Sequence, residues 1–174
     1  MEKLIELVEE VEVEEEEEEV IDIIELVEKN DLKGIIEAIE NGADVDFWDW
    51  EYSTALHYAV DYGNLKMVKL LIEKGAKVDL QNKYGFTALM IAVWKGNRKI
   101  AKFLIKNGAD VNLRNEDGDT ALHFAVFEDN PEIVKFLIDN GADVDLKNVD
   151  GETALDIAEE KGNQEIINLL TTNN

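Results

Sequence analysis

Two unrelated markers recur along this chain with a single spacing. Gly-Ala occurs at Gly42, Gly75, Gly108 and Gly141, and Thr-Ala-Leu at Thr54, Thr87, Thr120 and Thr153. Both return every 33 residues and stay in phase over four copies. A fixed period of this length means one small helical or mixed unit copied along the chain, each copy burying its apolar side on its neighbours. Folds that need contacts between distant parts of the chain are thereby excluded.

Cap residues place the elements inside each unit. Thr87 suits an N-cap, with Ala88 as the first helical residue. The helix is predicted to reach about Lys95 and to stop at Gly96, which tolerates the left-handed conformation of a helix end. Asn97 then caps a second helix that runs through about Lys106 and ends at Asn107-Gly108. Asn64, Asn130 and Asn163 hold the equivalent cap position. Pro131, the only proline, falls at the first helical position after Asn130, where a missing N–H costs nothing. The loop 109–118 carries a glycine fit for a tight turn.

With T-A-L-H at 54–57 and 120–123 and G-A-D-V-N at 108–112, the sequence resembles the ankyrin repeat family. The family pattern T-P-L-H-x-A has Ala for Pro in every copy here. That departure is mild, because Ala at this position loses preorganisation but no hydrogen bond. The resemblance spans about 16–174. It implies an all-α ankyrin-repeat solenoid of stacked helix-turn-helix units, with β-turn fingers at right angles, a concave groove, and a cap at each end. The expected divisions are an acidic N-terminal arm (1–19), an N-terminal capping repeat (20–48), three repeats (49–81, 82–114 and 115–147) and a C-terminal capping repeat (148–174). The last unit has Glu159 where its predecessors have Val60, Val93 and Val126, as suits a terminal repeat with a polar outer face.

Charge narrows the partners. The chain holds 40 acidic and 17 basic residues, for a net charge of -23. A field of that sign repels phosphate, which argues against nucleic acid and anionic membranes. Cysteine is absent, so there is no disulfide or thiolate chemistry. No stretch approaches the roughly 18 apolar residues of a membrane span. An acidic start is unlike a signal or transit peptide, and the cytoplasm is the default placement.

The arm 1–19 contains eleven Glu and one Lys. Leu4, Leu7, Val8 and Val11 form one helical stripe, and Val13, Val20, Ile24 and Val27 another. On a continuous helix these two stripes face opposite ways, so a break is expected at the glutamate run 14–19. The arm reads either as a solvated tail or as a helix that docks on the solenoid or on a second copy. A monomer is expected, with a dimer through the arm as the alternative.

No motif for catalysis, cofactor binding or metal binding is present. His57 and His123 lie two units apart and cannot share a metal. The resemblance assigns them to hydrogen bonds between neighbouring loops. Asp117-Gly118 and Asp150-Gly151 are faintly like calcium loops, but Leu113 and Leu146 occupy the required first ligand positions.

The resemblance also places finger tips and first-helix ends on the groove. In the first repeat these are Trp50, Glu51, Ser53, Asp61 and Tyr62, flanked by Phe47 and Trp48. In the second they are Lys83, Tyr84, Phe86, Trp94 and Lys95. In the third they are Glu116, Asp117, Asp119, Phe127 and Glu128. All three Trp fall in or beside this set, and Trp and Tyr dominate binding hot spots. Phe47, Phe86 and Phe127 are open to a second reading, as packing between fingers and helices. Tyr52 stands where Gly85, Gly118 and Gly151 stand in later units. A bulky residue disfavours positive φ, so the first finger is expected to be remodelled.

Repeat 82–114 holds seven basic residues and one acid, Asp110, giving +6 (7 − 1). Adding one period to Lys83, Lys95, Lys99 and Lys106 gives Glu116, Glu128, Glu132 and Asp139, so a ladder of cross-repeat ion pairs is expected. The alternative is a docking patch for an acidic partner or for the arm.

These features point to a non-catalytic module that binds a protein partner through its concave face. The alternative is an artificial scaffold without an evolved partner. Regular repeats, absent Cys and a glutamate-rich start suit that alternative, while Tyr52, Met90 and Asp129 depart from a strict consensus. The repeat array should fold without the arm, since every marker lies downstream. Deleting 1–15 is expected to leave helical content per residue and melting cooperativity nearly unchanged by circular dichroism. A large fall in melting temperature would instead place Leu4, Leu7, Val8 and Val11 in the core.

Overall fold

The computed structural model describes residues 22–172. The arm 1–19, with its stripe Leu4, Leu7, Val8 and Val11, lies outside the described residues. The second stripe is represented by Ile24 and Val27, both buried.

Ten helices follow in five pairs among the described residues: α1 (Ile23–Glu28) with α2 (Leu32–Glu40), α3 (Ala55–Asp61) with α4 (Leu65–Glu73), α5 (Ala88–Trp94) with α6 (Arg98–Lys106), α7 (Ala121–Phe127) with α8 (Pro131–Asp139), and α9 (Ala154–Lys161) with α10 (Gln164–Thr171). Their starts are set by the caps expected from the sequence. The Asn97 carboxamide accepts from Ile100 N at 3.2 Å, and Asn64, Asn130 and Asn163 do the same for α4, α8 and α10. Pro131 opens α8. First helices end on a residue with positive φ: Gly63, Gly96 and Gly162 at 66°, 66° and 71°, with Asn30 and Asp129 at 55° in the equivalent places. The two non-glycine residues use the side chain that glycine lacks. Asn30 accepts from Asn64 Nδ2 at 2.6 Å and Asp129 from Asn163 Nδ2 at 2.5 Å, tying one unit to the next.

Helices of seven or eight residues cannot persist alone in water, so stacking holds them. First helices pack in the order α1, α3, α5, α7, α9, and second helices form a parallel column that includes the contacts α4 with α6 and α8 with α10. Ala59, Ala92, Ala125 and Ala158 are fully buried one period apart and let the first helices approach closely. Leu71, Leu104, Leu137 and Leu170 are buried in the second column. Each such leucine contributes about 1.5–3 kcal/mol. Glu159 is exposed at the end of the stack, where an apolar residue would meet water.

Between pairs the chain makes a finger. Its turn closes with Gly85 N donating to Asn82 O, Gly118 N to Asn115 O and Gly151 N to Asn148 O. Successive fingers are joined edge to edge: Lys83 N donates to Glu51 O at 2.8 Å, Glu116 N to Tyr84 O at 3.1 Å and Val149 N to Asp117 O at 2.8 Å. The buried histidines add a second tie. His57 Nδ1 accepts from Thr54 N at 3.1 Å, which leaves Nε2 to donate to Phe86 O of the next finger at 3.1 Å. His123 repeats the arrangement with Thr120 and Glu152 O. Met90 occupies the intervening site, so that tie is missing once.

Burial holds the His57 and His123 imidazoles below their ordinary value of 6.5, although their backbone partners pull the other way. Protonation would also set an Nδ1 donor against the Thr N–H. A depressed histidine pKa leaves the fold at full stability above the unfolded value and weakens it as the pH falls through 6.5. Stability should therefore decline between about pH 7.5 and 5.5, by up to about 1.4 kcal/mol per pH unit for one histidine. Chemical denaturation across that range checks this. His57→Gln should reduce the slope and the His57→Gln/His123→Gln pair should remove most of it; an unchanged slope in the pair would assign it to other groups.

Candidate partner-binding groove

Finger tips and first helices face each other across a groove, and its lining follows the period. The floor is built by Tyr58, Ile91, Phe124 and Ile157, which occupy one position in successive units. One wall is formed by first-helix ends at Asp61, Trp94, Phe127 and Glu160, and the other by finger residues Ser53, Phe86, Asp119 and Glu152.

Phe86 and Trp94 meet across the groove with ring centroids 6.1 Å apart, and Phe86 also packs on Phe124 at 5.2 Å. This aromatic contact divides the groove into two depressions of about 360 and 390 Å³, both bordered by Phe86 and Trp94. The N-terminal half includes Glu51, Ser53, Asp61 and Tyr84 among the expected residues, and the C-terminal half includes Asp119 and Phe127.

Other expected residues sit at the rim or beyond it. Trp50 is 78% exposed and stacks under the Lys83 ammonium, 4.0 Å from its ring centroid. Trp48, Tyr62, Glu116, Asp117 and Glu128 border neither depression. Tyr84 and Trp94 remain 47% and 49% exposed, so they are not core. Of the three phenylalanines, Phe86 is half-buried packing, whereas Phe47 and Phe127 are exposed.

Sequence reading missed Tyr58, Ile91, Phe124 and Ile157 on the floor, and Asp150, Glu152 and Glu160 in the last unit. The period could have found the last three: Asp117, Asp119 and Phe127 plus one repeat give them directly. The floor residues carried no signal, because apolar side chains inside a helix read as core.

Tyr52 adopts φ of 56°, close to the 78° of Gly85, and its N–H closes the same turn on Asp49 O at 2.9 Å. The expected remodelling of the first finger is therefore not found. The Asp49 carboxylate rigidifies this finger by accepting from Glu51 N, Ser53 N and, at 2.5 Å, the Tyr58 hydroxyl. Burial works against the Asp49 charge, but these donors hold its carboxyl below the usual range, and the same bond drives the Tyr58 phenol up.

The ion pairs run mostly backward, contrary to the forward ladder expected. Lys83 meets Glu51 at 2.8 Å and Lys95 meets Asp61 at 2.7 Å, both in the preceding unit. Arg98, in place of Lys99, reaches forward to Glu132. Adjacent units meet with an offset: Lys83 N bonds to Glu51 O, one residue past Trp50, its own counterpart in the preceding unit, and the Lys83 ammonium meets the Glu51 carboxylate.

Asn115 Nδ2 is buried without a hydrogen-bond partner among the described residues. Its counterpart Asn148 donates to the Asp119 carboxylate at 3.1 Å. Phe86 sits one period before Asp119, so the acceptor that serves Asn148 has no equivalent for Asn115.

The profile for ankyrin repeats (3 copies) matches residues 23–115 and 105–174. The chain belongs to the ankyrin repeat family. Among curated proteins no match is found. Ankyrin repeats are generally protein–protein interaction modules and typically not enzymes. No group of three or more His, Asp or Glu among the described residues is placed to hold a metal ion, and none of the described helices is long and apolar enough to cross a membrane.

The strain at Tyr52 is measurable. Its ring is mostly exposed, so removal loses little burial. Tyr52→Gly should raise stability to denaturant by about 1 kcal/mol, the cost of a left-handed side chain. A loss of stability would show that the ring holds the first finger through packing.

Proposed function

We propose that this ankyrin array binds another protein through the groove between its fingers and first helices, without catalysing a reaction. The observation that carries the proposal is the exposure of Trp50, Tyr84 and Trp94 on or beside one continuous groove. Framework positions are committed to stacking, whereas these rings contribute nothing to the core. Large exposed aromatics are costly to leave in water and are the side chains that partners bury. Phe127, Trp48 and Tyr62 extend the aromatic surface, while Glu51, Asp61, Lys83, Lys95, Glu116, Asp117, Asp119 and Glu128 supply charge around it. An aromatic centre with a polar rim is common in protein interfaces. The same exposure weighs against a scaffold made only for regularity, which would have no use for three tryptophans on its surface.

A partner isolated on the intact chain supplies the test. Trp94→Ala and Tyr84→Ala should each weaken that complex by at least about 1 kcal/mol, with circular dichroism unchanged. The reading fails if both variants bind normally while Phe103→Ala or Phe136→Ala on the second helices abolishes the complex.

A further inference from the structure

The two halves of the groove share their aromatic divider and nearly their size, but differ in charge. In the N-terminal half the carboxylates already have counter-ions: Glu51 pairs with Lys83 and Asp61 with Lys95. In the C-terminal half Asp119, Asp150, Glu152 and Glu160 form no ion pair among the described residues. The apolar part of that half is mostly aromatic, with Trp94 and Phe127 exposed on one wall, Phe86 on the other, and Phe124 and Ile157 on the floor. An ammonium from the chain itself, Lys161, rests 5.0 Å from the Phe127 ring centroid without a carboxylate partner among the described residues.

Rings attract cations through their faces, and unpaired carboxylates beside them add charge-assisted hydrogen bonds. A planar guanidinium satisfies both at once, stacking on a ring while its edge donates to a carboxylate. Building on the groove reading above, we infer that the C-terminal half of the groove receives an arginine side chain from the partner, so the partner segment is basic. The N-terminal half, with its carboxylates neutralised, takes the neighbouring uncharged or apolar residues of that segment. The chain's charge of -23 draws basic segments towards the molecule from any direction. The aromatic walls and unpaired acids decide where the cation comes to rest.

The probe is a short capped peptide with a single arginine between leucines, and its twin with neutral citrulline, titrated into the intact chain and followed by two-dimensional NMR. The arginine peptide should saturate, shifting the Trp94 indole and the Phe124 and Phe127 amides. The citrulline twin should bind at least about tenfold more weakly, as should the arginine peptide to Asp150→Asn/Glu160→Gln. Glu37→Gln/Glu40→Gln removes the same charge from α2 and should leave affinity within about twofold. Absence of saturable shifts, equal binding of the citrulline peptide, or equal weakening by the α2 pair would each overturn the inference. Shifts confined to Trp50, Tyr58 and Tyr84 would overturn it while leaving the groove as the binding face. Shifts confined to the second helices would overturn both readings.

Discussion

Ala59, Ala92, Ala125 and Ala158 lie fully buried where successive first helices touch, and a side chain that ends at Cβ sets how near those helices come. The close approach fixes the step from one unit to the next. Finger edges can then hydrogen-bond, as at Lys83 N to Glu51 O and Val149 N to Asp117 O, because the same step brings both donors within reach. The histidine ties from His57 to Phe86 O and His123 to Glu152 O need the same spacing. A larger residue in the alanine column would cost about 1–3 kcal/mol in overpacking and would also loosen the finger contacts that shape the groove.

Against this framework, single substitutions mark where regularity gives way. Met90 removes a histidine tie between the second and third units but fills its site with buried apolar volume. Phe86 leaves Asn115 Nδ2 without the acceptor that Asp119 gives Asn148. An unsatisfied buried donor costs about 1–3 kcal/mol. In return Phe86 packs on Phe124 and Trp94 and splits the groove in two. The substitution thus exchanges a framework hydrogen bond for the aromatic packing that shapes the groove.

Charge follows a similar division. Lys83 and Lys95 of the second repeat lean back on the first and neutralise its groove acids, whereas the groove acids Asp119, Asp150, Glu152 and Glu160 of the third and last units form no ion pair among the described residues. Pairs this exposed add at most about 1 kcal/mol each to stability. Their larger effect is on the groove, which becomes asymmetric along its length although its apolar lining is nearly uniform.

The period, the helix limits and the caps were legible in the sequence, because they depend on local chemistry: an Asn or Thr oxygen over a helix N-terminus, and a left-handed residue at a helix end. The family resemblance, rather than local chemistry, placed Asp119, Phe127, Tyr84 and Trp94 along the groove. The local reading failed at Tyr52, where the turn closed on Asp49 O and the Asp49 carboxylate network hold a conformation that tyrosine alone would avoid. It also misjudged the lysines, since a period says which residues are equivalent and nothing about the offset at which neighbouring units meet. Whether Phe86 or Tyr58 faces a core or a groove depends on the space between finger and helix, and only the packed array sets that space. The sequence thus determined the unit and its repetition, through interactions within a few residues. Tertiary structure decided which charges meet and which aromatic rings stay in water, because those depend on the rotation and approach of one unit against the next.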